Sequence, residues 1–237
     1  GLHSDIAVPY IVRYGSEEQK QKYLPGCVSG EIVTAIAMTE PAAGSDLQGI
    51  KTTAIKDGDD YVINGSKTFI TNGQHADLVV VVAKTDPSAG GKGTSLFLVE
   101  AGTPGFEKGK NLHKIGLKAQ DTSELFFQDV RVPATALLGE EGMGFVYLMQ
   151  DLPQERLNVA ILAVHSAQAI LEQTVQYVTE RKAFGKSIAT FQNTQFKLAE
   201  LDTELTAATV FLDRCLELHI EGGLDSVTAA KAKLLTT

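Results

Sequence analysis

The hydrophobic period of this chain changes partway along it, and that change sets the fold class. From about Ile32 to Leu138, apolar residues come in short runs broken by Gly-rich turns; from Gly144 onward they recur every three or four residues. The first pattern is that of β-strands, the second that of long amphipathic helices. Ile32–Met38 is apolar and rich in β-branched residues. Thr52–Ile55 and Tyr61–Ile63 flank Asp57-Gly58-Asp59-Asp60, a hairpin signal, and Asn64-Gly65 reads as a second turn before Lys67–Thr71. Leu78–Ala83 and Ser95–Val99 read as buried strands and Leu125–Phe127 as another, with Val132-Pro133 ending the sheet zone. Many short strands spaced by such turns predict a small barrel or sandwich.

Helical signals bracket this zone. Ser16-Glu17-Glu18-Gln19 has the capping-box form and starts a short helix that Pro25-Gly26 is expected to close. Leu148, Leu152, Val159, Leu162, Ile170 and Leu171 suit one long helix reaching about Arg181, with Pro153 expected to bend it or free a carbonyl. Ala183–Ile188 is a break, Gln192–His219 a second helix, and a third begins near Asp225 after Gly222-Gly223. The reading is therefore α+β and multidomain: residues 1–30 helical, 31–140 the β-domain, 141–237 an antiparallel helical bundle. Neither end carries a clear start or stop signal, so a piece of a longer chain is expected.

Bulk properties exclude some functions. With 21 basic and 29 acidic residues the net charge is −8, and no Lys/Arg stripe suits nucleic acid. The longest apolar runs, Leu78–Ala83 and Val159–Val164, are far too short for a membrane span. Cys27 and Cys215 lie far apart without CxxC spacing, which reads as reduced thiols. The five histidines share no metal-ligand spacing, and His165 reads as a core residue.

Four segments stand out, each with a plain structural reading. Met38–Asp46 (MTEPAAGSD) is a strand exit turning through Pro41 and Gly44, and such a loop can aim backbone N–H groups at an electron-rich ring or an anion. Phe69–Gly73 (FITNG) is a strand ending in an Asn-Gly turn. Asp151–Ala160 (DLPQERLNVA) places Glu155, followed by Arg156, one turn into an apolar helix and two residues after Pro153, where such a pair is commonly a solvated ion pair. Arg181–Gln192 (RKAFGKSIATFQ) puts basic residues at a helix C-terminus closed by Gly185. No GxGxxG or Walker loop is present.

In this order and at these spacings the four segments resemble the acyl-CoA dehydrogenase family, over nearly the whole chain. The resemblance implies the end of a first helical domain, a complete middle β-domain and the start of a four-helix C-terminal bundle. It implies FAD, with Ile36, Met38, Thr39, Phe69, Ile70 and Thr71 along the flavin and Thr39 the hydroxyl donor. Arg181, Phe184 and Gln192 would reach the FAD of a neighbouring subunit, Arg181 at the pyrophosphate, so a homodimer or homotetramer is implied. Ser45 would meet the acyl-CoA, and Pro153, Gln154 and Arg156 would shape or orient its site. Ala42 stands where the family usually has Gly, and Phe69 where many members have Trp.

Glu155 sits where the catalytic base of the long-chain and isovaleryl branches is placed. LPQER and HKIGLKAQDTSELFF (His113–Phe127) are more similar to the long-chain branch. The implied reaction is α,β-dehydrogenation of a fatty acyl-CoA thioester, with electrons passed to an electron-transfer flavoprotein. It needs a base whose proton affinity rises as the acyl chain excludes water, and donors for the developing enolate. The resemblance places the chain in a bacterial cytoplasm or a mitochondrial matrix. An acyl-CoA oxidase, and a non-catalytic flavin- or CoA-binding remnant, are the other two readings; peroxide production without another acceptor marks the first, and FAD retained without turnover marks the second.

Overall fold

A computed structural model describes all 237 residues. By its internal contacts the chain forms two compact units, Gly1–Asp151 and Leu152–Thr237.

The first unit opens with a π-type turn, Leu2–Ala7, and two helices, α1 (Val8–Tyr14) and α2 (Glu17–Ser29). The capping box forms as expected: Gln19 N–H donates to Ser16 Oγ at 3.2 Å and Ser16 N–H to Gln19 Oε1 at 3.0 Å. Pro25-Gly26 does not end α2, which runs on to a left-handed Gly30. Pro25 merely forfeits one helix bond. Gly26 lets Ile32 pack close to the helix, since a Cβ there would lie 2.6 Å from Ile32 Cδ1.

Eight strands follow: β1 (Thr34–Ala37), β2 (Thr53–Asp57), β3 (Asp60–Thr71), β4 (Leu78–Lys84), β5 (Thr94–Glu100), β6 (Phe106–Asn111), β7 (Thr122–Pro133) and β8 (Leu137–Leu138). They form one sheet in the order β6-β7-β3-β2-β4-β5-β8, with β1 added parallel to β4. Residues from β1 through β7 enclose a single core, including Ala35, Ile63, Val81, Phe97 and Leu125, so the sheet curls around it. The other face of β4 and β5 (Leu78, Val80, Val82, Leu96, Leu98) packs with Tyr10, Ile11 and Tyr23 of α1 and α2. All seven residues of β4 are buried, which is why Leu78–Ala83 reads as an unbroken apolar run rather than an alternation.

Asn64-Gly65, expected as a turn, instead lies inside β3. The pairing shifts register between Ile63 and Gly65, opposite a left-handed Asp129 (φ 50°) in β7. Asn64 holds that bulge: its Nδ2 donates to Asp129 Oδ1 at 3.0 Å and its Oδ1 accepts from Asp129 N–H at 2.8 Å. Gly65 takes φ +152°, and a Cβ there would stand 2.4 Å from Thr52 Oγ1. Strand β6 escapes the apolar pattern because FEKGKN is mostly polar.

Helix α3 (Gly144–Glu180) runs without interruption through Pro153, whose missing N–H leaves the Met149 carbonyl without its usual intrahelical donor. Its first turns belong to the first unit, where Arg13 pairs with the buried Asp151 and Tyr14 stacks on Tyr147 at 3.9 Å. In the second unit the break after α3 is a small hairpin, β9 (Lys182–Ala183) and β10 (Lys186–Ser187), turned by Phe184 (φ 52°) and Gly185 (φ 78°). Helices α4 (Gln192–Ile220) and α5 (Ser226–Thr236) pack with α3 around Leu157, Ala160, Val164, Leu212, Cys215 and Ala232. Asp225 caps α5 by accepting the N–H groups of Val227 and Thr228.

Gly65→Ala tests the close approach of β2 and β3. Overlap with Thr52 and loss of the unusual backbone geometry should cost about 1–3 kcal/mol, seen as a lower urea midpoint with unchanged slope. An unchanged midpoint would show that the contact is dispensable.

Candidate functional site

The residues singled out in the first unit gather along one seam. Strand β1 is strand-paired only to β4, and its other side lies against the end of β3. Thr68 N–H donates to the Thr39 carbonyl at 2.9 Å, and Asn72 Nδ2 donates to the Thr34 carbonyl at 3.0 Å. Between these two ties, Phe69-Ile70-Thr71 runs alongside Ile36, Met38 and Thr39. The side chains of Ile36 and Ile70 lie in the cores, so only their backbone can meet a ligand. Thr39 and Thr71 are half-buried, and Ser45 is exposed beyond the turn.

Phe69 is the exception to the alternation of β3. Lys67 pairs with Leu125 and Ile70 with Ser123, so β3 carries one extra residue there. The bulge places Phe69 at φ 58° with 67 % of its surface exposed. A left-handed bulky residue costs of order 1–3 kcal/mol and persists only where its surroundings hold it. Bulges of this kind re-aim a side chain, here onto the open surface beside the Thr39 loop.

What holds the loop is a pair of charges that no local motif announces. Lys67 Nζ is buried and donates to Glu40 Oε1 at 2.8 Å and to the Met38 carbonyl at 3.1 Å. Glu40 also accepts the N–H groups of Lys51 at 2.6 Å and Thr52 at 3.0 Å. Lys67 falls on the same strand parity as Tyr61 and Ile63, which is the available signal for an inward lysine. Burial pulls the Lys67 ammonium down to about 8, although the Glu40 charge opposes this. Burial would raise Glu40, but the Lys67 charge and three hydrogen-bond donors outweigh it and hold the carboxyl below 4.5. The turn itself is unstrained, since neither Ala42 nor Gly44 has a positive φ, so alanine at 42 fits.

The other sequence-derived residues belong to α3 and the hairpin that follows it. Pro153, Gln154, Glu155 and Arg156 are half-buried on α3. Arg156 Nη1 donates to Ser226 Oγ at 3.0 Å, so this side chain also ties α3 to the start of α5. Arg181 and Gln192 are exposed and bracket the β9–β10 hairpin, whose Phe184 is 95 % exposed and packs edge-on to Phe191. Lys186 lies over the Phe191 ring at 4.5 Å. From Glu155 to Glu180 the helix rises about 37 Å at 1.5 Å per residue, so the Glu155 and Arg181 groups stand at opposite ends of one rod.

Comparison with known proteins agrees with this architecture. Family models for the acyl-CoA dehydrogenase N-terminal, middle and C-terminal domains match residues 1–31, 35–130 and 142–237. The mitochondrial long-chain specific acyl-CoA dehydrogenase of Sus scrofa is 58 % identical over 98 % of this chain and 54 % of its own length. An acyl-CoA dehydrogenase structure from Geobacillus kaustophilus superposes with a TM-score of 0.95 at 58 % identity, covering 98 % of this chain and 62 % of that one. A structure of PigA with FAD and proline gives a TM-score of 0.94 at 35 % identity, covering 99 % and 61 %. The chain belongs to the acyl-CoA dehydrogenase family. It spans about half the length of the curated relatives it matches. No helix is long and apolar enough to cross a membrane.

The Glu40 shift gives a pH test. Its folded-state pKa lies below the ordinary 4.5, so its stabilisation is present above that value and is lost as pH falls through the folded value. Glu40→Gln leaves Lys67 buried without its counter-charge and should cost about 3–5 kcal/mol near neutral pH. Urea unfolding should show the gap to wild type shrinking below pH 4.5. A gap of constant size through the acid range would refute the assignment.

Proposed function

We propose that the complete protein carrying this chain is an FAD-dependent acyl-CoA dehydrogenase acting on fatty acyl-CoA thioesters, with Glu155 as the base. The observation that carries the reading is the seam, where an exposed aromatic ring, Phe69, stands beside the backbone and hydroxyl groups of Met38, Thr39 and Thr71. A flat heteroaromatic ring with polar edges fits such a set: the aromatic face packs on it while N–H and hydroxyl groups meet its edge atoms. When bound, the flavin supplies the acceptor for the β-hydride.

The remaining work falls to the chain. Glu155, two residues past Pro153 on α3, removes the α-proton with a carboxylate oxygen. The acyl chain lying over it excludes water, which strengthens the carboxylate as a base. Gln154 and Pro153 wall the acyl site, Arg156 orients the head portion from its anchor on Ser226, and Ser45 meets the substrate from the exposed end of the loop. Likeness to long-chain relatives favours a long straight acyl group, and electrons leave to an electron-transfer flavoprotein.

By its likeness to the family the protein would work as an oligomer, in which Arg181, Phe184 and Gln192 would serve the FAD of another copy, Arg181 offering a bidentate fork to the pyrophosphate.

Glu155→Gln in the complete protein should retain FAD with an unchanged visible spectrum, while anaerobic acyl-CoA reduces it at least about a thousandfold more slowly. Reduction at the wild-type rate would remove Glu155 from the role of base.

A further inference from the structure

We propose, on the flavin reading above, that the buried Glu40–Lys67 pair is a positioning device that sets the geometry of the flavin-facing seam. Neither residue reaches a ligand. Lys67 is 1 % and Glu40 6 % exposed. They act through the backbone they hold.

The pair joins three separate pieces of chain. Lys67 on β3 fixes the Met38 carbonyl, the residue before Thr39, and holds Glu40, the residue after it. Glu40 in turn holds the N–H groups of Lys51 and Thr52, which lead into β2. Thr39 is thus gripped on both sides, and its own carbonyl is bound by Thr68 N–H. Two residues beyond Lys67 stands the strained Phe69. The far end of the bulged segment is tied by Asn72, which donates to Thr34 and accepts from Gln120 Nε2 at 2.6 Å. The strained segment is therefore clamped at both ends, and one clamp is the ion pair.

Energetics favour a positioning role over a purely stabilising one. A buried ion pair is seldom more stable than an apolar pair of similar volume, because desolvation offsets the attraction. Four hydrogen bonds in fixed directions are what an apolar pair cannot supply. Lys84 makes the contrast. It is buried to a similar degree, 4 % exposed, yet its Nζ donates to the local Gly90 carbonyl at 2.7 Å, and only its backbone, which a substitution leaves in place, meets the clamp, at the Thr52 carbonyl.

The test uses the complete protein with three variants: the double variant Glu40→Gln/Lys67→Met, which removes both charges; Glu40→Asp, which keeps both but shortens the arm; and Lys84→Met as the control. Apoprotein of each is checked by circular dichroism and titrated with FAD, and the flavin spectrum and reduction potential of the reloaded protein are recorded. The double variant should fold, bind FAD at least about tenfold more weakly, and shift both the flavin absorption band and the potential. Glu40→Asp should show a smaller change in the same direction, and Lys84→Met none. Folded double and Asp variants that bind FAD with wild-type affinity, spectrum and potential would overturn the proposal. So would equal losses in Lys84→Met, which would mark a general effect of disturbing a buried lysine. If the double variant does not fold, Glu40→Asp alone decides between these outcomes. A wild-type protein that binds no FAD would instead refute the flavin reading itself.

Discussion

Strand β4 is the constraint on which the first unit is organised. Its seven buried residues, Leu78–Lys84, pair with β5 on one side; on the other, Leu78–Val81 pair with β1 and Lys84 with the start of β2. One face contributes Val79 and Val81 to the core inside the curled sheet, and the other contributes Leu78, Val80 and Val82 to the core beneath α1 and α2. A strand buried on both faces cannot shift by one residue without exchanging its two sets of side chains. Its register therefore fixes β1, and β1 fixes where the Thr39 loop begins.

The candidate site grows from that fixed point by small departures from regularity. A bulge in β3 turns Phe69 outward where alternation would have turned it in, and a buried ion pair holds the loop opposite. Strain at Phe69 and buried charge at Lys67 are each unfavourable alone, and they occur within two residues of each other. Such local conflicts, held in place by a rigid scaffold, are where functional geometry is usually stored. The second unit follows another logic: one uninterrupted helix, rising about 37 Å at 1.5 Å per residue, separates Glu155 from the basic hairpin.

Much of the fold is legible in the sequence because periodicity and turn chemistry agree with packing. The β2–β3 hairpin at Asp57–Asp60, the buried runs of β4 and β5, the capping box at Ser16 and the break at Phe184-Gly185 all lie where local sequence places them. The failures have physical causes. Asn64-Gly65 carries every mark of a turn, yet its glycine serves close approach to Thr52 and its asparagine a bulge in the opposite strand. Strand β6 is polar because it lies at the sheet's edge, with only Phe106 fully buried. The segments of the site are recognisable by resemblance, but the Glu40–Lys67 pair is not, because a buried partner far along the chain leaves no local mark beyond strand parity.

As proposed above, the complete protein is a flavin enzyme whose substrate is a fatty acyl-CoA. The most direct measurement is the visible spectrum of the complete protein before and after anaerobic palmitoyl-CoA. A yellow protein whose flavin band bleaches on addition of the thioester is the predicted result. A yellow protein that palmitoyl-CoA and shorter acyl-CoAs leave unchanged, or a protein that takes up no flavin at all, would contradict the account.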